Sequence, residues 1–367
     1  MNIAVAQSGG PTCAINASLL GVFRHAVKYD EIETIYGSVN GIEGLIYNNL
    51  VNLNELINCD DDVELIRQTP STVLGSCRYK LPAFSDDSTV YETILKTLTV
   101  NNIGAFFYIG GNDSMDTVSK LSRYAAAHNI DVRIMGIPKT IDNDLSCTDW
   151  TFGFDTASNI AMEEIDRLHT TAESHERCFV VECMGRHTGW ITLQAGVAAN
   201  AHLVLIPEFP MSFDEIYDLV RSRYLRGERY TIIAVAEGFE LTGEKLEELE
   251  RDMFGNVLLL HRELARHLAD RIEKAIRSDE TLDKRREHFE ARSVVLGHLQ
   301  RGGAPSAFDR MLGTRMGVKA GDLVVSGEYG NMVSLRGTEI AVADLDRAVT
   351  ERKKVGKELY DVATLFY

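Results

Sequence analysis

Short apolar runs, each closed by glycine, proline or a polar cluster, recur along the chain and alternate with longer segments of helical periodicity. The runs are Ile3 to Ala6, Ile35 to Ser38, Ala105 to Ile109, Val132 to Ile137, Phe179 to Glu182, Leu203 to Ile206 and Thr231 to Ala236. Near-continuous apolar character over so few residues is the pattern of strands buried on both faces. The first run leads into Ser8-Gly9-Gly10-Pro11-Thr12 and then an apolar helix from Ala14 to about Val27. Strands alternating with helices at this density predict an α/β protein with a doubly wound, mostly parallel sheet divided between two similar domains. No low-complexity linker marks a border. The expected division is 1–153 plus about 300–350 for one domain and 154–299 plus the C-terminal segment for the other.

The stretch from Leu241 to Arg292 differs in kind. It is densely charged and carries an apolar stripe at helical spacing through Val257, Leu260, Leu264, Leu268 and Ile272, which reads as a helical insertion, 241–292, in the second domain. His261 and His267 lie six apart, a spacing that does not put them on one helical face, so they are not read as metal ligands.

Composition narrows the function classes. A chain of 367 residues, 45% apolar and 25% charged, is long enough for two well-buried cores. Its net charge of −16 argues against broad nucleic-acid or anionic-membrane surfaces, yet leaves room for a small anionic substrate held by a few arginines. Six scattered cysteines without a C-x-x-C pair fit reduced thiols in the cytoplasm, and Cys178 and Cys183 read as packing residues. The first residues have no basic region or long apolar core, so export is not expected.

Candidate chemistry gathers after the strands. Gly110-Gly111-Asn112-Asp113-Ser114 offers backbone N–H groups, and Pro138-Lys139-Thr140-Ile141-Asp142-Asn143-Asp144 offers carboxylates beside a lysine. Phosphoryl transfer needs such parts: cradled phosphate oxygens, neutralised charge, and an acceptor hydroxyl beside a base. Asp142 is the natural base, with Asp144 placed to orient it or to hold a metal-bound water. Taken alone, Asp142-Asn143-Asp144 is more often a turn that caps the next helix. Its company shifts the balance. Glu176-Arg177, Met184-Gly185-Arg186, Glu237, Arg292, His298 and Arg301 supply guanidinium forks, a histidine and a carboxylate suited to a phosphorylated sugar.

With Ser8-Gly9-Gly10, Gly75-Ser76-Cys77-Arg78, Gly110 to Ser114, Thr140 to Asp144, Ser174 to Arg177, Met184 to Arg186 and Leu296 to Arg310 in one order, the chain resembles phosphofructokinases of the bacterial 6-phosphofructokinase type over nearly its whole length. The resemblance implies that fructose 6-phosphate is phosphorylated at its 1-hydroxyl with Mg2+, and that Asp142 is the base. It implies a donor site at Gly9, Gly10, Arg78, Gly111, Asp113, Ser114 and Lys139. The implied sugar site comprises Thr140, Ile141, Asp142, Arg177, Met184, Gly185, Arg186, Glu237, Arg292, His298 and Arg301. Lys139, Thr140, Asp144 and Asp113 join Asp142 as implied catalytic residues.

Two departures bear on the donor. ATP-dependent members carry Gly-Asp-Gly-Ser where this chain has Gly111-Asn112-Asp113-Ser114. A carboxylate at Asp113 would meet the α-phosphate of ATP, and two negative charges about 4 Å apart cost about 4 kcal/mol at an effective dielectric of 20. Lys139 stands where those members have glycine and could neutralise the transferring group. Both positions resemble the pyrophosphate-dependent branch. The rivals are an ATP-dependent kinase, with Arg78-Tyr79 on a nucleotide, and a non-catalytic sugar-phosphate-binding regulator.

Other departures concern the metal and regulation. Asn112 replaces the aspartate used toward magnesium, so the metal set becomes Asn112 and Asp113, with Asp144 able to compensate. Where the family binds an effector, matching places carry Leu20, His169 and Glu228, although Arg24 and Arg226 remain, and no strong regulation is expected. The resemblance also implies a homodimer or homotetramer in which Arg177 and Arg292 complete a neighbour's sugar site.

Overall fold

The computed structural model describes residues 1–243, 262–365 and 367. Val257, Leu260 and His261 therefore lie outside the described residues. The chain divides into two compact units, Met1–Thr156 with Arg301–Lys353, and Ala157–Gln300 with Lys354–Tyr367.

The strands, in chain order, begin with β1 (Asn2–Gln7), β2 (Ile35–Ser38), β3 (Leu50–Asn52), β4 (Ile103–Gly110) and β5 (Arg133–Pro138). The next four, β6 (Cys178–Cys183), β7 (Leu203–Leu205), β8 (Thr231–Ala236) and β9 (Ala291–Val295), belong to the second unit. The last two, β10 (Met332–Arg336) and β11 (Glu339–Ala343), return to the first.

The first unit holds a seven-stranded sheet in the order β11-β10-β5-β4-β1-β2-β3. Its centre is parallel, and antiparallel strands β3 and β11 close the two edges. Alternate residues explain why helices cover both faces. Ile3, Val5, Phe107, Ile109 and Ile137 pack on one side with Leu19, Phe23, Met316 and Leu323, whereas Ala4, Ala6, Phe106, Tyr108 and Ile134 pack on the other with Ile94, Met115 and Leu121. Gly21 and Gly317 let the helices Ile15–Ala26 and Ala307–Ser326 touch backbone to backbone, since a Cβ on either glycine would collide with the other helix. The order in which strands are added reverses between the parallel β1 and β4: β2 follows β1 to one side, and β5 follows β4 to the other. A crevice forms at such a switch point, outside the carboxyl ends of the strands.

The second unit holds a fully parallel sheet in the order β7-β8-β6-β9. Here the structure departs from the reading of 241–292 as an insertion over its described part from residue 262 on. The helix Leu264–Ser278 connects β8 to β9, and its stripe of Leu264, Leu268, Ile272 and Ile276 is buried against Cys178, Val180, Ile233 and Val235. It is a crossover helix of the sheet, and residues 291–292 already belong to β9. His267 is exposed, and Cys178 and Cys183 are buried with thiols that desolvation pushes up to about 12. Among the described residues no helix is long and apolar enough to cross a membrane.

Candidate active site

In the first unit, three loops leave the carboxyl ends of adjacent strands and meet at the switch point. Gly9 follows β1 with φ +75°, its N–H donates to Cys77 O (3.1 Å), and Ser76 Oγ donates to its carbonyl (2.6 Å). The helix Asn112–Ala127 starts directly after β4, so its first N–H groups point toward the same space. Ser114 is buried against Gly110, and Asp113 stands exposed in the first turn. After β5, Lys139 N donates to Gly110 O (2.8 Å), which ties the third loop to the second.

Lys139 is 2% exposed, and its Nζ donates to Gly10 O (2.6 Å). A Cβ on Gly9 would sit 3.2 Å from that Nζ, and one on Gly10 would run into the Arg301 guanidinium, so glycine at both positions leaves the two cations room to approach. Desolvation pulls the ammonium down to about 7, the charges of Arg301 and Arg78 add to that fall, and Asp142 opposes it. Gly9, Gly10, Arg78, Gly111, Lys139, Asp142 and Arg301 are thus neighbours. They come from five places in the sequence.

The turn after Lys139 is held from several sides. Asp142 N donates to Thr140 Oγ1 (3.1 Å), Thr151 Oγ1 to Thr140 O (2.8 Å), and Thr151 N to Asn143 Oδ1 (3.1 Å). Asn143 has φ +49°, a left-handed conformation that asparagine tolerates. Ile141 is buried beneath the turn while Asp142 is half-buried. The next helix begins only at Phe154, so Asp142 to Asp144 do not cap it.

Asp144 is almost fully buried and accepts from Asn112 Nδ2 (2.9 Å), with Arg352 Nε 3.8 Å away. Burial, and then the Asp142 charge, hold its carboxyl above the usual carboxylate range. Its Oδ1 is buried without a hydrogen-bond partner. Two like-charged carboxylates, one with an orphaned oxygen, fit Mg2+, which uses one or two carboxylates together with waters and substrate phosphates. Asn112 spends its amide nitrogen on Asp144. No group of three or more metal-ligating His, Cys, Asp or Glu side chains occurs among the described residues.

In the second unit the expected sugar-site residues fall at two opposite ends of one sheet. At the carboxyl end, Met184, Gly185 and Arg186 follow β6, Glu237 follows β8, and His298 follows β9. Gly185 N donates to Glu237 Oε1 (3.4 Å), and Met184 N to Gln300 Oε1 (3.3 Å). Arg177 precedes β6 and Arg292 is the second residue of β9, so both stand at the amino end, where each pairs with Glu290, at 2.6 and 3.1 Å. Six residues of β6 separate the two groups, a span of about 20 Å. Of the places matched to an effector site, Leu20 is buried in the core, His169 bonds Tyr230 and Ala199 O, and Glu228 lies 3.8 Å from Arg223.

Sequence reasoning missed Gln300, Glu208, Arg352 and Lys353. Glu208 accepts from Gly189 N (3.0 Å) and Val355 N (3.1 Å) and so steadies the loop that follows Arg186. Lys353 Nζ donates to Asn143 Oδ1 (2.8 Å), and partial burial pulls this ammonium down to about 8. Glu351-Arg352-Lys353-Lys354 reads as a solvated charge run, and nothing local marks its contact with a turn 210 residues away.

The family model for phosphofructokinase matches residues 2–324. An ATP-dependent 6-phosphofructokinase of Mycobacterium tuberculosis (strain CDC 1551 / Oshkosh) is 41% identical over 379 residues, with 100% of each chain covered. A pyrophosphate–fructose 6-phosphate 1-phosphotransferase of Amycolatopsis methanolica is 40% identical over 372 residues, again with 100% of each covered. Among solved structures, a pyrophosphate-dependent phosphofructokinase from Marinobacter aquaeolei superposes with a TM-score of 0.81 at 27% identity, covering 100% of this chain and 91% of that one.

Proposed function

The chain belongs to the phosphofructokinase family, and we propose that it transfers a phosphoryl group from pyrophosphate to the 1-hydroxyl of fructose 6-phosphate, giving fructose 1,6-bisphosphate and phosphate. Relatives that use either donor are about equally similar, so overall identity does not choose between them. The observation that carries the choice is Asp113, an exposed carboxylate in the first turn of the helix at the switch point, together with Lys139 buried beside Gly9 and Gly10. The carboxylate repels a third phosphate there, whereas pyrophosphate ends short of it.

On this reading the N–H groups after β4 and the cations Lys139, Arg301 and Arg78 hold and neutralise the donor. Asp142 takes the proton from the sugar 1-hydroxyl, and Thr140 fixes the Asp142 backbone through its hydroxyl. Mg2+ held at Asp144, whose Oδ1 has no hydrogen-bond partner, would supply further neutralisation of the phosphates and leave Asp142 free to act as the base. Met184, Gly185, Arg186, Glu237 and His298 hold the sugar phosphate from one chain, and Arg177 and Arg292 do so from a neighbour. The reaction is reversible, because the donor bond is not much richer than the ester formed.

The test is initial rate with fructose 6-phosphate and Mg2+, comparing pyrophosphate with ATP, for the parent chain and for Asp113→Gly. Turnover with pyrophosphate alone, and some ATP activity appearing in the variant, is the expected result. Fast turnover of the parent with ATP would replace this donor with the nucleotide.

A further inference from the structure

The turn that carries Asp142 is gripped by a segment from the far end of the first unit. Arg352 forms an antiparallel bridge with Leu145, and Lys353 N donates to Asp144 O (3.0 Å). From there the Lys353 side chain reaches under the turn. Its Nζ donates to Asn143 Oδ1 (2.8 Å), Thr148 O (3.0 Å) and Asp149 O (2.7 Å). An ammonium has three donors and no acceptor, and these acceptors engage all three.

The place of Asn143 gives this contact its consequence. Asn143 lies between Asp142 and Asp144 with φ +49°, and its Oδ1 receives both Lys353 Nζ and Thr151 N. A left-handed residue persists where its surroundings over-determine it. An apolar side chain packed at position 353 would fill space at less desolvation cost than an ammonium, but it would offer the turn no donors. We infer that Lys353 is a positioning residue, which holds the Asn143 turn so that the Asp142 carboxylate meets the acceptor hydroxyl in line. Its Nζ donates to acceptors of the chain itself, Asn143 Oδ1, Thr148 O and Asp149 O.

This inference rests on Asp142 being the base, and the experiment separates the two. The parent, Asp142→Asn, Lys353→Met, Asn143→Gly and the Lys353→Met/Asn143→Gly double variant are assayed with whichever donor the parent uses, and kcat is referred to folded protein. Asn143→Gly keeps the left-handed backbone while removing the acceptor. Lys353→Met is expected to lower kcat by about 10–100-fold with KM for fructose 6-phosphate changed less than about twofold, the pattern of lost alignment rather than lost binding. The double variant is expected to lose less than the product of the two single losses, because the two substitutions share the Lys353–Asn143 contact. Unchanged kcat in folded Lys353→Met, or losses that multiply, would overturn the inference. If Lys353→Met does not fold, Asn143→Gly decides: a kcat loss at constant KM supports the inference, and parental kcat refutes it. Full activity in Asp142→Asn would overturn the base assignment instead.

Discussion

The ammonium of Lys139 is half deprotonated near pH 7 in the free chain, and an arriving anion reverses that. Pyrophosphate binding at about pH 8 is therefore expected to take up a proton, measurable by calorimetry in buffers of different ionisation enthalpy. In the same way kcat/KM for pyrophosphate falls as pH rises through about 7. Lys139→Met removes that fall and lowers turnover about 10²–10³-fold, whereas a flat parental profile would place the functional proton elsewhere. The stability sign runs opposite to a salt-bridged lysine. The unfolded chain keeps this proton up to about 10.5 and so binds more protons than the folded chain between about 7 and 10.5; the contribution of Lys139 to stability rises with pH across that window. Lys139, Asp142 and the paired glycines were legible as residues because their chemistry is local to short loops. Lys353 was not, because its role is defined by acceptors distant in sequence.

At the scale of elements, the helix Leu264–Ser278 shows how a correct periodicity can carry a wrong assignment. Its apolar stripe was visible, yet the charge around it read as an insertion, whereas the stripe closes one face of the second sheet. Ile272→Ala, fully buried there, is expected to destabilise the chain by about 2–5 kcal/mol in chemical denaturation, and Lys274→Ala on the exposed side by less than about 0.5 kcal/mol. Equal, small effects would mean that the helix is peripheral after all. The strands β3, β9, β10 and β11 escaped the sequence reading for a related reason. β3 has only three residues, and β9 reads Ala-Arg-Ser-Val-Val at a sheet edge where exposed positions interrupt the apolar run. β3, β9 and β11 are edge strands, which need less burial and so leave a weaker pattern, whereas β10 lies inside the sheet.

At the scale of the whole molecule, the second sheet holds Arg177 and Arg292 at one end and Arg186, Glu237 and His298 at the other. If both groups serve one hexose phosphate, they reach it from two chains. Arg177→Ala and Arg186→Ala, each inactive alone, are expected to regain activity when unfolded together and refolded as a mixture, because a mixed assembly rebuilds one intact site. Failure of the mixture, with full activity in a monomer by size exclusion, would refute a shared site. The sequence by itself determined the α/β class, the central strands and the loops that carry glycine, lysine and carboxylate, since consecutive burial and turn chemistry are written into neighbouring residues. Tertiary structure alone decided that strand order reverses between β1 and β4, that Arg301 lies against Gly10, that Arg177 stands a strand's length from Arg186, and that Lys353 holds Asn143. Those facts depend on which distant segments pair, and pairing is set by packing over the whole chain, which no local window contains.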